Sequence, residues 1–304
     1  MLPLKSMIDS LSSFWHRGTP AERTGYVVGA LLMISGLIHL VILMIIDGSW
    51  EGPLSLRKPT TFGLSFGLTL ITIVWVTDFL ELKKRTRAVL LAGFIIACTL
   101  ETTLVSLQTW RGVPSHFNIA TAFDALVARS LAAGGVVLVV LTAVFTLVSF
   151  RVSLKVPISL RIAIRVGFIV LFGSQVVGAV MIASGMRLVF QGDPQAAYAH
   201  GGSLKLTHGA MMHGVLMLPA LAWLLSFSNW SERRRVSLVV VATGGYLMLI
   251  GVVATADLVG RSPLPSSPAI VALFTLGAIS LLVTGVLTLV GVARAPVRHG
   301  IRHS

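Results

Sequence analysis

The sequence predicts an all-α membrane protein whose eight transmembrane helices form one bundle. Of its 304 residues, 55% are hydrophobic and only 12% are charged, whereas soluble domains carry about 25% charged residues. The mean hydropathy is +0.89. Apolar stretches of about 20 residues, long enough to cross a bilayer, recur along the chain, and the charged residues collect in the short segments between them.

The first 20 residues are predicted to form an amphipathic helix that lies on the membrane surface. Leu4, Ile8, Leu11 and Trp15 recur at helical spacing with polar residues between them, which is unlike a secretory signal peptide. Residues 21–304 are then expected to form a single transmembrane domain.

Eight spans follow from the requirement for about 20 predominantly apolar residues. We predict them at residues 24–46, 60–79, 88–109, 121–150, 162–187, 205–226, 236–258 and 268–292.

The distribution of basic residues predicts the orientation of the chain. Of the 24 Lys and Arg residues, 17 lie on the side of the membrane that holds both chain ends, and the positive-inside rule places that side in the cytoplasm. We therefore predict a multi-pass protein of the cell (inner or plasma) membrane with cytoplasmic N and C termini. The net charge of +13 then serves topology and contact with lipid, and no nucleic-acid partner is expected.

A short internal repeat suggests two parallel four-helix halves. Lys58, Thr60 and Gly67 align without gaps on Lys205, Thr207 and Gly214, so each set opens a helix that enters from the outer side. Repeats of this kind occur in membrane transporters. Three identities leave coincidence as an equal alternative.

Four polar residues lie inside the predicted spans, where ionisable and polar groups are costly and mark functional sites. They are His39, Glu101, Gln175 and His213. At a rise of 1.5 Å per residue, all four lie roughly 20 Å from the cytoplasmic ends of their helices. The sequence therefore predicts one polar layer in the outer half of the bilayer.

A layer with histidines on separate helices favours a redox site. His39 and His213 are suited to ligate haem b, with Gln175 beside the cofactor. With Glu101 and His208 as further ligands, the same region is suited to Fe, Cu or Zn. The partner would be a quinone or another redox protein, and the protein would be a membrane oxidoreductase. Cys98 is the single cysteine, so no Cys-based metal site can form.

His208 and His213 are five residues apart, which places them about 140° apart on a helix. We expect His213 to point into the bundle and His208 to lie at its outer mouth. No break is predicted with certainty in this span, although Pro219 is a candidate for one.

The outer loops carry further candidates for catalysis. Glu101 and Gln108 share one face of their helix, which continues towards Arg111 and His116 and could conduct protons or line a cavity. Glu101, His116 and Arg111 are therefore the catalytic candidates. Asp124 has a structural explanation, because Thr121 and Asp124 have the spacing of a helix N-terminal cap.

Three other functions remain open beside the redox hypothesis. The polar layer suits a proton-coupled transporter or channel. With Glu101 or His116 as base it suits a metal-dependent membrane hydrolase. The chain could also be a subunit without chemistry of its own.

Overall fold

The structure is a computed structural model that describes residues 2–200, 204–260 and 267–295. Within these residues, eight helices are long and apolar enough to cross a membrane, which confirms the predicted all-α bundle. The predicted cytoplasmic tail, with Arg298 and Arg302, lies outside the described residues.

The described helices, in chain order, are α1 Leu2–Arg17, α2 Pro20–Ile45, α3 Arg57–Val76, α4 Lys84–Trp110, α5 Ala122–Ser149, α6 Ile158–Phe190, α7 Pro194–His200, α8 Lys205–Met212, α9 Gly214–Ser226, α10 Glu232–Val259 and α11 Pro268–Ala293. A 3-10 turn, Thr77–Phe79, continues α3. The spans are α2 to α6, α8 with α9, α10 and α11. We call the end of the bundle at which α4 ends and α5 begins the outer end, and the opposite end the inner end.

The spans begin and end within four residues of the predicted positions. Several begin earlier than predicted, because a charged first turn continues the helix beyond the apolar stretch. Glu22 lies in the first turn of α2, where it accepts a hydrogen bond from the backbone N–H of Thr19 at 2.9 Å. A carboxylate at this position complements the positive end of the helix dipole.

The N-terminal segment is a helix, as predicted, and it packs against the bundle through one aromatic residue. The Phe14 ring meets the Phe79 ring edge to face, with 6.0 Å between centroids. Leu4, Ile8 and Leu11 remain exposed on α1. Its position on a membrane surface stays a prediction.

The described helices pair in a similar order in the two halves of the chain, except that α11 also packs against α9, whereas α5 has no comparable contact with α3. In the first half, α2 packs against α3 and α4, α3 against α4, and α4 against α5. In the second half, α6 packs against α8, α9 and α10, α9 against α10, and α10 against α11. The two central helices, α3 and α9, contact each other across the middle. This is the arrangement expected of two parallel halves.

Further equivalent positions appear when the repeat is followed into the inner half of the bundle. Beyond Gly67 and Gly214 the offset between halves increases by one residue, and the matched pairs are then Leu70 with Leu218, Trp75 with Trp223, Phe79 with Phe227, and Arg87 with Arg235. Trp75 and Trp223 face each other edge to face at 6.1 Å. These matches extend the predicted repeat beyond the alignment without gaps.

Glycines bring α2 and α3 into backbone contact. A Cβ at Gly63 would overlap the backbone of Gly36, and a Cβ at Gly67 would overlap the carbonyl of Gly29. Small residues allow such close approach between membrane helices, where packing and not the hydrophobic effect holds helices together.

The sixth span is interrupted at His213, between α8 and α9. Pro219 lies one turn into α9, and its ring is incompatible with an undistorted preceding turn. The extra residue of the second half lies just after the break, between Gly214 and Leu218. The sixth span, which the sequence did not clearly predict to be broken, is therefore discontinuous.

Three side chains bond backbone carbonyl groups of α8 next to the break. The Ser174 hydroxyl donates to the carbonyl of His208 at 2.8 Å. The His213 ring bonds the carbonyl of Gly209 through Nδ1 at 2.7 Å. The Tyr246 hydroxyl donates to the carbonyl of Ala210. Neighbouring helices must satisfy such groups because lipid offers no hydrogen bonds.

Candidate functional site

Glu101 is the most deeply buried carboxyl group within the spans, apart from Asp124 in its hydrogen-bonded cap. It lies in α4 and is 4% exposed, and its side chain fills the space beside Gly134 of α5, where a Cβ would collide with Oε1. In the described part of the chain, Oε1 has no hydrogen-bond partner. The hydroxyl oxygens of Thr102 and Ser106, also on α4, are buried without a partner in the same way.

An apolar cluster closes the seam between α4 and α5 on the outer side of Glu101. Val105, Val127 and Leu131 are almost fully buried there, and Phe62 of α3 packs against them. The predicted polar stripe from Glu101 to Gln108 is therefore interrupted. The carboxyl group is separated from the outer end by a layer of hydrophobic side chains.

On its inner side Glu101 borders the main core. Cys98 is completely buried one turn below it, and the Phe94 and Phe145 rings meet at 6.3 Å between centroids. Glu101 is thus occluded in both directions.

A polar network closes the outer end above the apolar cluster. The Arg111 guanidinium pairs with the Asp124 carboxylate at 2.6 Å, and Gln108 donates to the same oxygen at 3.0 Å. Arg111 also donates to the Gln108 carbonyl oxygen. Asp124 accepts from the Thr121 hydroxyl at 2.7 Å, while its backbone N–H donates back to Thr121, which confirms the predicted cap. We call these four residues the outer latch.

The loop after the outer latch carries His116. Its ring packs against Phe62 at 5.9 Å between centroids, and its Nδ1 lies 3.0 Å from the Ser115 hydroxyl. Burial, together with the positive charge of Lys58, holds the pKa of His116 well below its usual range. His116 is therefore neutral at physiological pH.

Phe117 fixes this loop against α6. Its φ is 65°, a left-handed conformation that costs a bulky residue about 1–3 kcal/mol. Its ring occupies the notch that the missing side chain of Gly185 leaves on α6. The strained residue next to His116 indicates that packing holds this loop in place, so the loop does more than connect α4 to α5.

A second network closes the inner end of α4. Arg87 pairs with Glu22 of α2 at 2.6 Å and with Asp78 at 2.8 Å. It also donates to the Val74 carbonyl at 2.8 Å and to the Thr77 hydroxyl at 3.3 Å. We call these five residues the inner latch. The equivalent Arg235 likewise donates to the end of the preceding helix.

His39 has a partner at each ring nitrogen. The Trp110 indole N–H can only donate, so His39 Nε2 accepts it at 3.0 Å. Nδ1 must then carry the proton, which it donates to the Ser35 carbonyl at 2.8 Å. His39 is a neutral histidine that joins α2 to the outer end of α4, about 13 Å along that helix from Glu101.

The predicted direction of His213 is wrong, whereas His208 lies near the outer end of α8, where it was expected. His213 is exposed on the outside of the bundle because the helix break turns its ring towards its own backbone. His208 is the inward residue of the two, with Nδ1 bonded to the Ser174 carbonyl at 2.8 Å. Gln175 is half-buried on α6. Its neighbour Ser174, and not Gln175 itself, contacts α8.

The predicted polar layer therefore does not form one site. His39 lies between α2 and α4, Glu101 between α4 and α5, and His213 beyond α8. Haem b does not fit the observed donors, because His39 has no free nitrogen and His213 faces away. In the described ranges, no group of three or more His, Cys, Asp or Glu side chains could hold an Fe, Cu or Zn ion.

The catalytic candidates are also separate. Arg111 is committed to the outer latch, roughly 15 Å along α4 from Glu101, and His116 packs above the apolar cluster. No contact joins the three residues among those described here, so the structure gives no arrangement of base and electrophile for a hydrolase.

The fold and the site define a polytopic membrane protein with an occluded carboxyl group between two closed ends. The chain matches no protein-family model, no curated protein and no solved structure at a significant level. Its function must therefore be argued from its own residues.

Sequence patterns missed the partners of the candidate residues and the role of Tyr246. Trp110 bonds His39 of another helix, and Asp124 at the start of α5 bonds Gln108 and Arg111 at the end of α4, so only helix adjacency joins these pairs.

Proposed function

We propose that the protein is a proton-coupled membrane transporter in which Glu101 carries the proton. The observation that supports this most directly is a buried carboxyl oxygen without a partner in the middle of a span. An ionised carboxylate here would lack both water and a counter-charge, so this environment accommodates the neutral acid. Loss of its proton requires access to water or to a charged substrate. This requirement couples proton release to the binding of the substrate.

The broken sixth span supports the same function. Transporter sites lie near the middle of the bilayer, between repeated halves, and discontinuous helices are typical of them. Here the break at His213 lies in a central helix of the second half. The backbone is held by side chains of α6 and α10, so movement of those helices acts directly on it.

The closed ends supply the two barriers that alternating access requires. The outer latch and the apolar cluster of Val105, Val127 and Leu131 separate Glu101 from the outer end. The inner latch ties α4 to α2 and to the end of α3. Opening one barrier at a time would expose Glu101 to one side and then to the other.

Proton movement in liposomes tests the proposal. The purified full-length protein is reconstituted with an internal pH-sensitive dye, and small carboxylates, phosphate and amines are added one class at a time. We expect one class to drive proton movement, Glu101→Gln to abolish it and Glu101→Asp to retain part of it. Glu81→Gln, at an exposed glutamate, is the matched control. Equal proton movement in Glu101→Gln and the native protein would refute the role of Glu101.

A redox role remains the alternative hypothesis. It gains no support from the donors described above, and it predicts a Soret band or bound metal in the purified protein. A colourless, metal-free protein that moves protons would leave transport as the function.

A further inference from the structure

The large apolar side chains that α1 exposes form one stripe along the helix. The four residues of this stripe are between 43% and 61% exposed and are Leu4, Ile8, Leu11 and Trp15. At about 100° per residue, they lie within about 60° of one another around the helix axis. Phe14, which packs against Phe79 of the bundle, lies about 90° from the middle of the stripe. The stripe therefore faces away from the contact with the bundle.

The exposed polar residues of α1 lie on the other side of the stripe from Phe14. They are centred about 100° from it and are Lys5, Asp9, Ser12 and His16. The helix thus has three distinct sides, one against the protein, one apolar and one polar. A helix that lies in the membrane–water interface beside a bundle requires these three sides in this order.

The connection to α2 places α1 at the level of the membrane surface. Only two residues separate α1, which ends at Arg17, from the span α2, which begins at Pro20. The corner between the helices is fixed, because the Arg23 guanidinium donates to the carbonyls of Trp15 and His16 at 3.2 and 2.9 Å. The stripe therefore begins where a transmembrane span enters the lipid, and lipid is the apolar medium within its reach.

The same corner contains a residue of the inner latch. Glu22 accepts from the backbone N–H of Thr19, in the corner, at 2.9 Å and pairs with Arg87 at 2.6 Å. The aromatic contact of α1 is made to Phe79, the neighbour of Asp78, which is the second carboxylate that pairs with Arg87. A movement of α1 therefore acts on both of the carboxylates that hold the arginine.

We propose that α1 inserts its apolar stripe into the lipid leaflet at the inner end and that the anchored helix holds the inner latch closed. The binding of an interfacial helix strengthens with the apolar area that it buries, and four large side chains contribute here. That the anchor regulates transport rests on the proposed function; the insertion itself does not.

The accessibility of spin labels in the full-length protein tests the insertion. Cys98→Ala removes the native thiol, and a nitroxide is attached at Ile8→Cys in the stripe or at Ser12→Cys on the polar side. The protein is reconstituted in vesicles of phosphatidylcholine and phosphatidylglycerol. We expect the label in Ile8→Cys to be more accessible to oxygen, which concentrates in lipid, than to a water-soluble nickel complex. The label in Ser12→Cys should show the reverse.

Two results would overturn the insertion. In one, the nickel complex reaches both labels equally, so the stripe lies in water. In the other, spin–spin broadening in Ile8→Cys identifies a second copy of the chain as the partner of this face.

The reactivity of Cys98 in the otherwise native protein tests the effect on the inner latch. Ile8→Ser combined with Leu11→Ser should increase the rate of labelling from the inner end about tenfold or more, because apolar surface that anchors the helix is lost. The rate from the outer end should not change. Ile8→Met with Leu11→Met keeps the apolar surface and should react as slowly as the native protein. Leu54→Ser, at an exposed apolar residue of an outer loop, is the control and should also stay slow.

A native rate in the double serine variant would overturn the link between the anchor and the latch. Glu101→Gln separates these results from the proposed function. If that variant moves protons normally while the stripe is inserted and its loss exposes Cys98 from the inner end, the transporter hypothesis fails and the anchor stands.

Discussion

A histidine is tolerated in hydrocarbon when both of its ring nitrogens have partners. His39 meets this condition through Ser35 and Trp110, whereas among the described residues His213 bonds only the carbonyl of Gly209, through Nδ1. Glu101 does not meet it, since Oε1 has no partner among the described side chains. Residue type alone identified all three as unusual, because polar groups in a span are costly. His39 differs from Glu101 in the side chains that the neighbouring helix places beside it. A single sequence does not show which helices are neighbours.

His116 should make the protein sensitive to acid. Its pKa is lowered in the folded protein by burial and by Lys58, whereas an unfolded histidine titrates near about 6.5. Below that pH the unfolded state binds a proton that the folded state does not, so stability falls as the pH is lowered. Between about pH 7.5 and about 5.5, the apparent unfolding temperature should fall less in His116→Gln than in the native protein.

His16→Gln is the control for this experiment, because His16 is exposed on α1. It should keep the acid sensitivity of the native protein. An unchanged pH dependence in His116→Gln would show that His116 is already solvated in the folded state.

At the scale of elements, hydrophobic length predicted the helices well and predicted the break poorly. Apolar runs of about 20 residues are a physical requirement of the bilayer, so all eight spans were found. The break at His213 depends on donors from two other helices, Ser174 on α6 and Tyr246 on α10. Pro219 indicated that a break was possible, but a proline kink is tolerated in many membrane helices without one.

Removing one of these donors should weaken the sixth span. Tyr246→Phe leaves the Ala210 carbonyl without its hydroxyl donor and should lower the free energy of unfolding by about 0.6 kcal/mol, and at most about 1.7 kcal/mol. Unfolding in mixed micelles, followed by circular dichroism, measures this. Tyr26→Phe is the matched control, since no hydrogen bond of its hydroxyl is among those described. Equal losses in both variants would mean that the hydroxyl of Tyr246 does not support the break.

At the scale of the whole molecule, the matched residues favour two similar halves, with the helix break in the second of them. The alignment without gaps found the repeat in the outer half and lost it after Gly67, because the second half has one more residue beyond that point. The structure recovers it through residues in equivalent positions, such as Arg87 and Arg235 at the inner ends of α4 and α10. An alignment without gaps loses all matches beyond an insertion of one residue.

Cys98 offers a test of the two barriers, because it is the single cysteine and lies completely buried beside Glu101. In the native protein it should react slowly with a membrane-impermeant thiol reagent. Arg111→Gln, which opens the outer latch, should increase the rate about tenfold or more with reagent at the outer end, since the buried Asp124 carboxylate loses its counter-charge. Arg87→Gln should do so only from the inner end.

Right-side-out and inside-out vesicles present the outer and the inner end to the reagent in turn, and mass spectrometry measures the labelled fraction of Cys98. Arg129→Gln, outside both latches, is the control and should stay slow. Labelling from both sides in every variant would mean that loss of a latch unfolds α4 and does not open a gate.

The contact between Trp75 and Trp223 has a mechanical consequence. A rotation of one half against the other about this contact would leave the contact itself in place. Displacement grows with distance from it, and Lys58 lies about 25 Å further along α3. A tilt of about 5° would then shift Lys58 by about 2 Å while the tryptophan rings barely move. The lever arm is long at the outer start of α3, so a small rotation about the aromatic contact moves that end of the helix much more than its middle.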